Sequence, residues 1–371
     1  MPELAEVFRV HGGNYLEQFG RRLLPSHRRA LRDIAACRTE RLGGQLTECR
    51  RCGHRHPVYH SCRHRCCPKC HATDTARWLA KRQAELLPVP YAHAIFTLLE
   101  ALRESVRRHQ KTLYGVLMKA AAEALMELTA DRHYVGGQIG LLAVLHTWGG
   151  AMVFHPHVHC LIPAGGLTEE GEWLSARKRY LVPVQALSRI FRAKFMALAR
   201  KAHPELAFPQ SLWDKDWVVY CKPAPQGGQK VLNYLGRYVH RVAITNRRIT
   251  KIDQGRIGFG YKDSRTRKWR TTSLPAPEFI RRFLQHVLPK GFNKVRYYGL
   301  LSPTNRSTLK RVQLLLTPPA VAAEKAEQVA SPETNRTQEA ARPCPLCGLG
   351  WMIVIGRLPR QCRAPPDGRR Q

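Results

Sequence analysis

Acidic residues are scarce: the 371 residues hold 27 Asp and Glu against 61 Lys and Arg, a net charge of +34. That surplus is far beyond what solubility requires, and the natural partner is a polyanion. Long apolar runs are missing too. The most hydrophobic stretch, Ile139 to Phe154, is interrupted by His146 and three glycines, so no segment can cross a bilayer as a helix. The first residues, Met1-Pro-Glu-Leu-Ala-Glu6, lack the basic-then-apolar order of a secretory signal, and a cytoplasmic protein is expected. In that compartment the twelve cysteines read as metal ligands or core thiols rather than disulfides. Internal repeats of solenoid length are absent as well.

What is present is arginine above all. The basic residues divide into 44 Arg and 17 Lys, a bias that favours the planar guanidinium fork and bidentate contacts to phosphate. At roughly 150 residues per domain the chain makes two or three domains. Residues 1–88 form the first, ending at Leu87-Pro-Val-Pro-Tyr91, where two prolines stop a short helix over Ala76–Leu87. Residues 89–312 form the second. In it strands are expected at Tyr91–Leu99, Ile139–Thr147, His155–Ile162 and Trp217–Lys222, with a hairpin of Arg256–Lys262 and Lys268–Ser273. Helices are expected from Leu102 to Leu128 and over Gln185–Lys201, Lys230–His240 and Glu278–Leu288. Residues 313–342 carry no apolar periodicity and read as a disordered linker. Residues 343–371 read as a basic tail with half a zinc knuckle, Cys344-x2-Cys347, to which Cys362 could add a third ligand. Strands in hairpin-like pairs among helices favour an α+β fold, an antiparallel sheet with helices on it, over a parallel doubly wound one.

Three constellations carry chemistry. Seven Cys and five His crowd into the 35 residues from Cys37 to His71. Cys49-x2-Cys52 and Cys67-x2-Cys70 stand 14 residues apart, a spacing that predicts one tetrahedral four-thiolate Zn²⁺ site. Cys37, Cys62, Cys66 and the histidines around them are left over, either as a second site or as substitute ligands. A metal here would hold arginines such as Arg63 and Arg65 against DNA phosphates and supply much of the module's folding energy. The second constellation is His155-Pro-His-Val-His159. In a strand, His157 and His159 share a face and can chelate one cation, with His146 the first candidate for a third ligand and His155 the second. Leu161 and Ile162 stand where a His-x-His-x-Asp-His hydrolase needs an acid and a histidine, which excludes that class. The third is Tyr234 and Tyr238, one turn apart on a helix that also carries Arg237 and Arg241. A phenol attacking phosphorus needs a cation and basic side chains to stabilise the pentacovalent state, and the chain holds all three.

The combination resembles rolling-circle transposases of the HUH endonuclease superfamily, specifically the bacterial insertion-sequence-ninety-one family. The matching segments are Ser61-Cys-Arg-His-Arg-Cys-Cys-Pro-Lys-Cys70, Leu86 to Thr97, His146-Thr-Trp-Gly149, His155 to His159, Tyr234-Leu-Gly-Arg-Tyr-Val-His-Arg-Val-Ala-Ile244 and Gly291 to Leu301, in order from Cys37 to Arg311. One departure is Arg65-Cys66-Cys67-Pro68, where the family commonly has Arg-His-Cys-Pro. The resemblance implies a zinc-binding N-terminal domain and an HUH nuclease domain in which His157 and His159 bind Mg²⁺ or Mn²⁺. It implies that Tyr234 and Tyr238 cleave and rejoin single-stranded DNA at the ends of a mobile element through a 5′-phosphotyrosine, without ATP. The protein would be nucleoid-associated when bound to DNA. The other readings are a non-catalytic zinc-dependent DNA-binding regulator and a rolling-circle plasmid replication initiator.

Overall fold

The computed structural model describes residues 2–177, 181–224, 227–239, 243–263, 266, 268–317 and 342–361. At its centre is strand Gly140–Trp148, of which Gly140 to Thr147 are all buried. Its run of Leu, Ala and Val shows no alternation because both faces are covered. Phe154–Pro163 pairs with it on one side, followed by Tyr91–Thr97 and Val219–Pro223, and Val295–Gly299 closes the other edge. Every pairing is antiparallel, as the hairpin pattern predicts.

The two faces of this sheet bury different partners. Ala94, Phe96, Ala143, Leu145, Val158 and Cys160 face helices Gln110–Ala130 and Val184–Ala202 in the largest core. On the opposite face Leu142, Val144 and Leu161 pack against Val231, Leu232 and Leu235 of helix Gly227–Val239. Helix Ala72–Gln83 lies against that helix, so close that a Cβ at Gly236 would stand 2.5 Å from Leu79 Cδ2. The glycine that lowers helix propensity therefore permits a close helix crossing.

A second core joins the N-terminal segment to residues 243–287. Before Cys37 the chain forms two helices that the motifs do not announce, Leu4–Phe19 and Pro25–Ala35. They bury Leu4, Val7, Phe8, Leu31 and Ile34 together with the three-stranded sheet Ile249–Asp253, Arg256–Lys262 and Trp269–Pro275 and helix Ala276–Leu284. The rings of Phe8 and Phe283 meet edge to face at 5.4 Å. One core thus crosses the boundary expected near Pro88.

A third sheet contains the C-terminus. Strand Gly44–Cys49 pairs with Arg55–Tyr59 on one side and, antiparallel, with Trp351–Leu358 on the other. The segment expected to be a tail therefore completes the sheet of the cysteine module. Helix Arg306–Leu316 runs past the domain end expected at 312. Most of the expected linker, Cys362 and the rest of the C-terminus lie outside the described residues. No helix among the described residues is long and apolar enough to cross a membrane.

Candidate functional site

The pleat brings the histidines to one face. His159 stands opposite Val144 and Ile95 in the register, and His157 opposite His146, so all three histidines lie on the face covered by the tyrosine helix. Their ligating nitrogens lie within 4.8 Å of one another. His146 and His159 are each only 3 % exposed. Burial pushes both imidazoles well below their usual range, and it takes His157 down to about 4. The three rings are thus neutral, the form that offers a lone pair to a cation.

Their orientation fits the same purpose. His157 Nδ1 donates to the His155 carbonyl at 2.7 Å, which fixes the tautomer and leaves Nε2 as the ligand atom. His159 Nδ1 lies 3.0 Å from His93 Nε2, while His159 Nε2 is buried with no hydrogen-bond partner among the described residues. A buried nitrogen left without a donor is costly unless something fills the place in front of it, and a divalent ion does. The residues fit a divalent cation. His155 is not in this set; its Nδ1 faces the Arg103 guanidinium at 3.4 Å.

Tyr234 lies over the histidines. Val231, Leu232 and Leu235 bury the inner face of helix Gly227–Val239, and Tyr234 is left 39 % exposed at the edge of that face. Its ring centroid is 5.8 Å from that of His159 and 6.4 Å from that of His93. The side chains of Arg237 and Tyr238, and Arg241 altogether, lie outside the described residues. His93 itself is absent from the sequence-predicted site. Its signal was its place in the Leu86–Thr97 segment, at a sheet position where alternation points it toward His159.

The cysteines require a correction. Cys49, Cys52, Cys67 and Cys70 do not share one ion: Cys67 and Cys70 converge with Cys37 and Cys62, and Cys49 and Cys52 converge with Cys344 and Cys347. The reason is topological. The hairpin of Gly44–Cys49 and Arg55–Tyr59 carries Cys49 and Cys52 to one end, whereas the chain after Tyr59 folds back onto the end of helix Pro25–Ala35, where Cys37 is buried. In the first set the Sγ separations are 3.7 Å for Cys37 to Cys70, 3.8 Å for Cys62 to Cys70 and 3.7 Å for Cys37 to Cys67. A tetrahedron with Zn–S of about 2.3 Å has edges of about 3.8 Å. The backbone N–H groups of Cys62 and His64 donate to Cys37 and Cys62 Sγ, the kind of bond that holds thiolates in place. Cys66 belongs to neither set. It is a core thiol that burial pushes up to about 11.

The two arginines proposed for DNA differ. Arg63 is exposed beside the first cysteine set, whereas Arg65 donates to the Phe292 and Pro289 carbonyls at 2.8 and 3.5 Å. Through these two bonds Arg65 ties the cysteine module to the segment before strand Val295–Gly299.

Comparisons with known proteins agree with this arrangement. Residues 7–98 match the family described as "Transposase zinc-binding domain", and residues 140–308 match that described as "Putative transposase". The chain is 38% identical over 378 residues to "Putative transposase y4qJ" of Sinorhizobium fredii (strain NBRC 101917 / NGR234), covering 95% of each chain. It is 29% identical over 295 residues to the "Transposase for insertion sequence element IS801" of Pseudomonas savastanoi pv. phaseolicola, covering 72% of this chain and 68% of that one. No solved structure matches. With one complete cysteine set in the first matched region and clustered histidines in the second, the chain belongs to the transposase family of insertion-sequence-ninety-one type.

Proposed function

We propose that this transposase cleaves and rejoins single-stranded DNA at the ends of its mobile element, with Tyr234 and Tyr238 as nucleophiles. The observation that carries the reading is the half-exposed Tyr234 ring standing 5.8 Å from the ring of His159, above three converging neutral imidazoles. His146, His157 and His159 would hold Mg²⁺ or Mn²⁺, and the chemistry supplied there is withdrawal of charge from a phosphate oxygen. The Tyr234 hydroxyl oxygen forms a bond to phosphorus as the bond to the 3′-oxygen breaks. The phenol proton passes to water, and the departing 3′-oxygen is protonated. The product is a 5′-phosphotyrosine and a free 3′-hydroxyl. The ester linkage is conserved, so attack by another 3′-hydroxyl reverses the step without ATP. Tyr238, four residues further along the helix, supplies a second phenol for a further transfer.

The test is incubation of the purified protein with a labelled single-stranded oligonucleotide carrying an element end, with and without Mg²⁺ or Mn²⁺. A covalent, metal-dependent protein–DNA adduct is expected, lost on Tyr234→Phe/Tyr238→Phe while binding to the oligonucleotide persists. An adduct that survives the double substitution removes both tyrosines from the mechanism. No adduct with any element end returns the protein to the class of DNA-binding regulators.

A further inference from the structure

The second cysteine set includes residues far outside the matched zinc-binding region. Cys49 Sγ lies 3.8 Å from Cys347 Sγ and Cys52 Sγ lies 3.7 Å from Cys344 Sγ, across 298 and 292 residues of sequence. These separations again match the edge of about 3.8 Å expected for tetrahedral thiolates around zinc. The two halves mirror each other. Cys49-Arg-Arg-Cys52-Gly53 and Cys344-Pro-Leu-Cys347-Gly348 both end in a left-handed glycine, with φ of 67° and 66°. In both, backbone donors are aimed at sulfur: Arg51 N–H to Cys49, Leu346 N–H to Cys344 and Gly350 N–H to Cys347, each at 3.4 Å. A Cβ at Gly350 would come within 2.4 Å of Cys49 Sγ, so the backbone of one knuckle is closed onto the ligand of the other. Dithiol oxidation would serve a pair of cysteines, but four sulfurs at these spacings are a metal cage.

We propose that Cys49, Cys52, Cys344 and Cys347 bind a second Zn²⁺, distinct from the ion at Cys37, Cys62, Cys67 and Cys70. This ion fastens the C-terminal segment into the N-terminal module. Strand Trp351–Leu358 then has its register against Gly44–Cys49 fixed at the metal end, where Cys49 stands opposite Met352. Strand pairing alone is a weak fastener here, because Trp351, Val354 and Ile355 are exposed and little apolar area is buried. The consequence reaches a basic surface. Arg360, just past the strand, lines one groove with Arg41 and Arg63 beside the first cysteine set. A basic groove of the N-terminal module is thereby completed by the other end of the chain.

Zinc content of the purified full-length protein tests this without any DNA cleavage, so its outcome is independent of the tyrosine chemistry. Two equivalents per chain are expected in the wild type and one in Cys344→Ser/Cys347→Ser. In the variant, titration with Co²⁺ should still give the tetrahedral thiolate spectrum of the first site, at one equivalent instead of two, which shows that the module remains folded. A protease recognition sequence inserted after Thr334 provides the second readout. After cutting, the C-terminal piece should stay with the body on gel filtration in zinc and leave it in the double variant. One equivalent in the wild type, two in the variant, or release of the piece from the zinc-loaded wild type would each overturn the proposal.

Discussion

His93 stands where it can set the tautomer of His159 at the proposed cation site. If its Nε2 accepts from His159 Nδ1 across the 3.0 Å bond, His159 is held in the tautomer whose Nε2 carries a lone pair. Outer partners of this kind are worth about 10- to 100-fold in metal affinity or activity. His93→Ala is therefore expected to raise the Mn²⁺ concentration for half-maximal adduct formation by about that factor, and His93→Gln, which keeps an acceptor, should recover part of it. An unchanged metal requirement in His93→Ala would reduce the residue to packing. Lys294 offers a second test at this scale. It is buried behind the site, its Nζ 5.8 Å from the centre of the Trp148 ring, and Trp148 in turn stacks on His146. Desolvation lowers its ammonium from 10.5 to about 7. The folded protein then binds fewer protons than the unfolded chain between about pH 7 and 10.5, so this group makes stability rise with pH across that window. Lys294→Met should be more stable than wild type at pH 7, with the difference shrinking toward pH 10, as read from denaturant midpoints. A constant difference across that range would show that the lysine's charge is accommodated in the fold.

Helix Ala276–Leu284 shows how far periodicity carries an argument and where it stops. Phe279, Ile280, Phe283 and Leu284 recur at helical spacing and are all buried, as the sequence pattern requires. What they pack against is not in that pattern, because their partner is the N-terminal helix of Phe8, hundreds of residues away in sequence. Phe283→Ala should cost about 3–5 kcal/mol, the usual range for a fully buried Phe, and lower the midpoint of a single cooperative transition monitored on both the zinc module and the sheet. Two separate transitions would show that the shared core does not couple them. The same division runs through the site. Histidines two apart on a strand and tyrosines four apart on a helix are local geometry, legible before any fold is known. The partition of the thiols is not local. The spacing rule chooses the nearest Cys-x2-Cys pairs, whereas Cys37 and Cys62 belong to no such pair and Cys344 arrives through the pairing of strands from opposite ends of the chain. The brace at Arg65 is not local either, since its carbonyl partners stand 224 and 227 residues further along the chain.

At the scale of the whole molecule the surplus of positive charge divides by place. Residues 230–311 contain 20 Lys and Arg and 3 Asp and Glu, a net +17, and residues 1–90 contain 17 and 8, a net +9. The first group begins at the tyrosine helix. The second supplies Arg41 and Arg63 to a groove that Arg360 joins from the C-terminal segment, and Asp33, the one acid lining it among the described residues, already pairs with Arg29 and Arg32. Such a groove holds DNA by displacing counterions from phosphate, an effect that weakens linearly on logarithmic axes as salt rises. Each phosphate contact contributes about 0.9 to that slope on duplex DNA and about 0.7 on a single strand. Arg41→Gln and Arg63→Gln are therefore each expected to lower the salt slope of binding to an element end by just under one and to weaken binding alike for all sequences. Both residues line the groove and neither belongs to the histidine cluster, so the rate of adduct formation at saturating oligonucleotide should not change. If that rate falls with the salt slope, the groove delivers the scissile strand to the histidine face, and gripping and cutting are one surface; if the slope is unmoved, the groove does not meet phosphate at all.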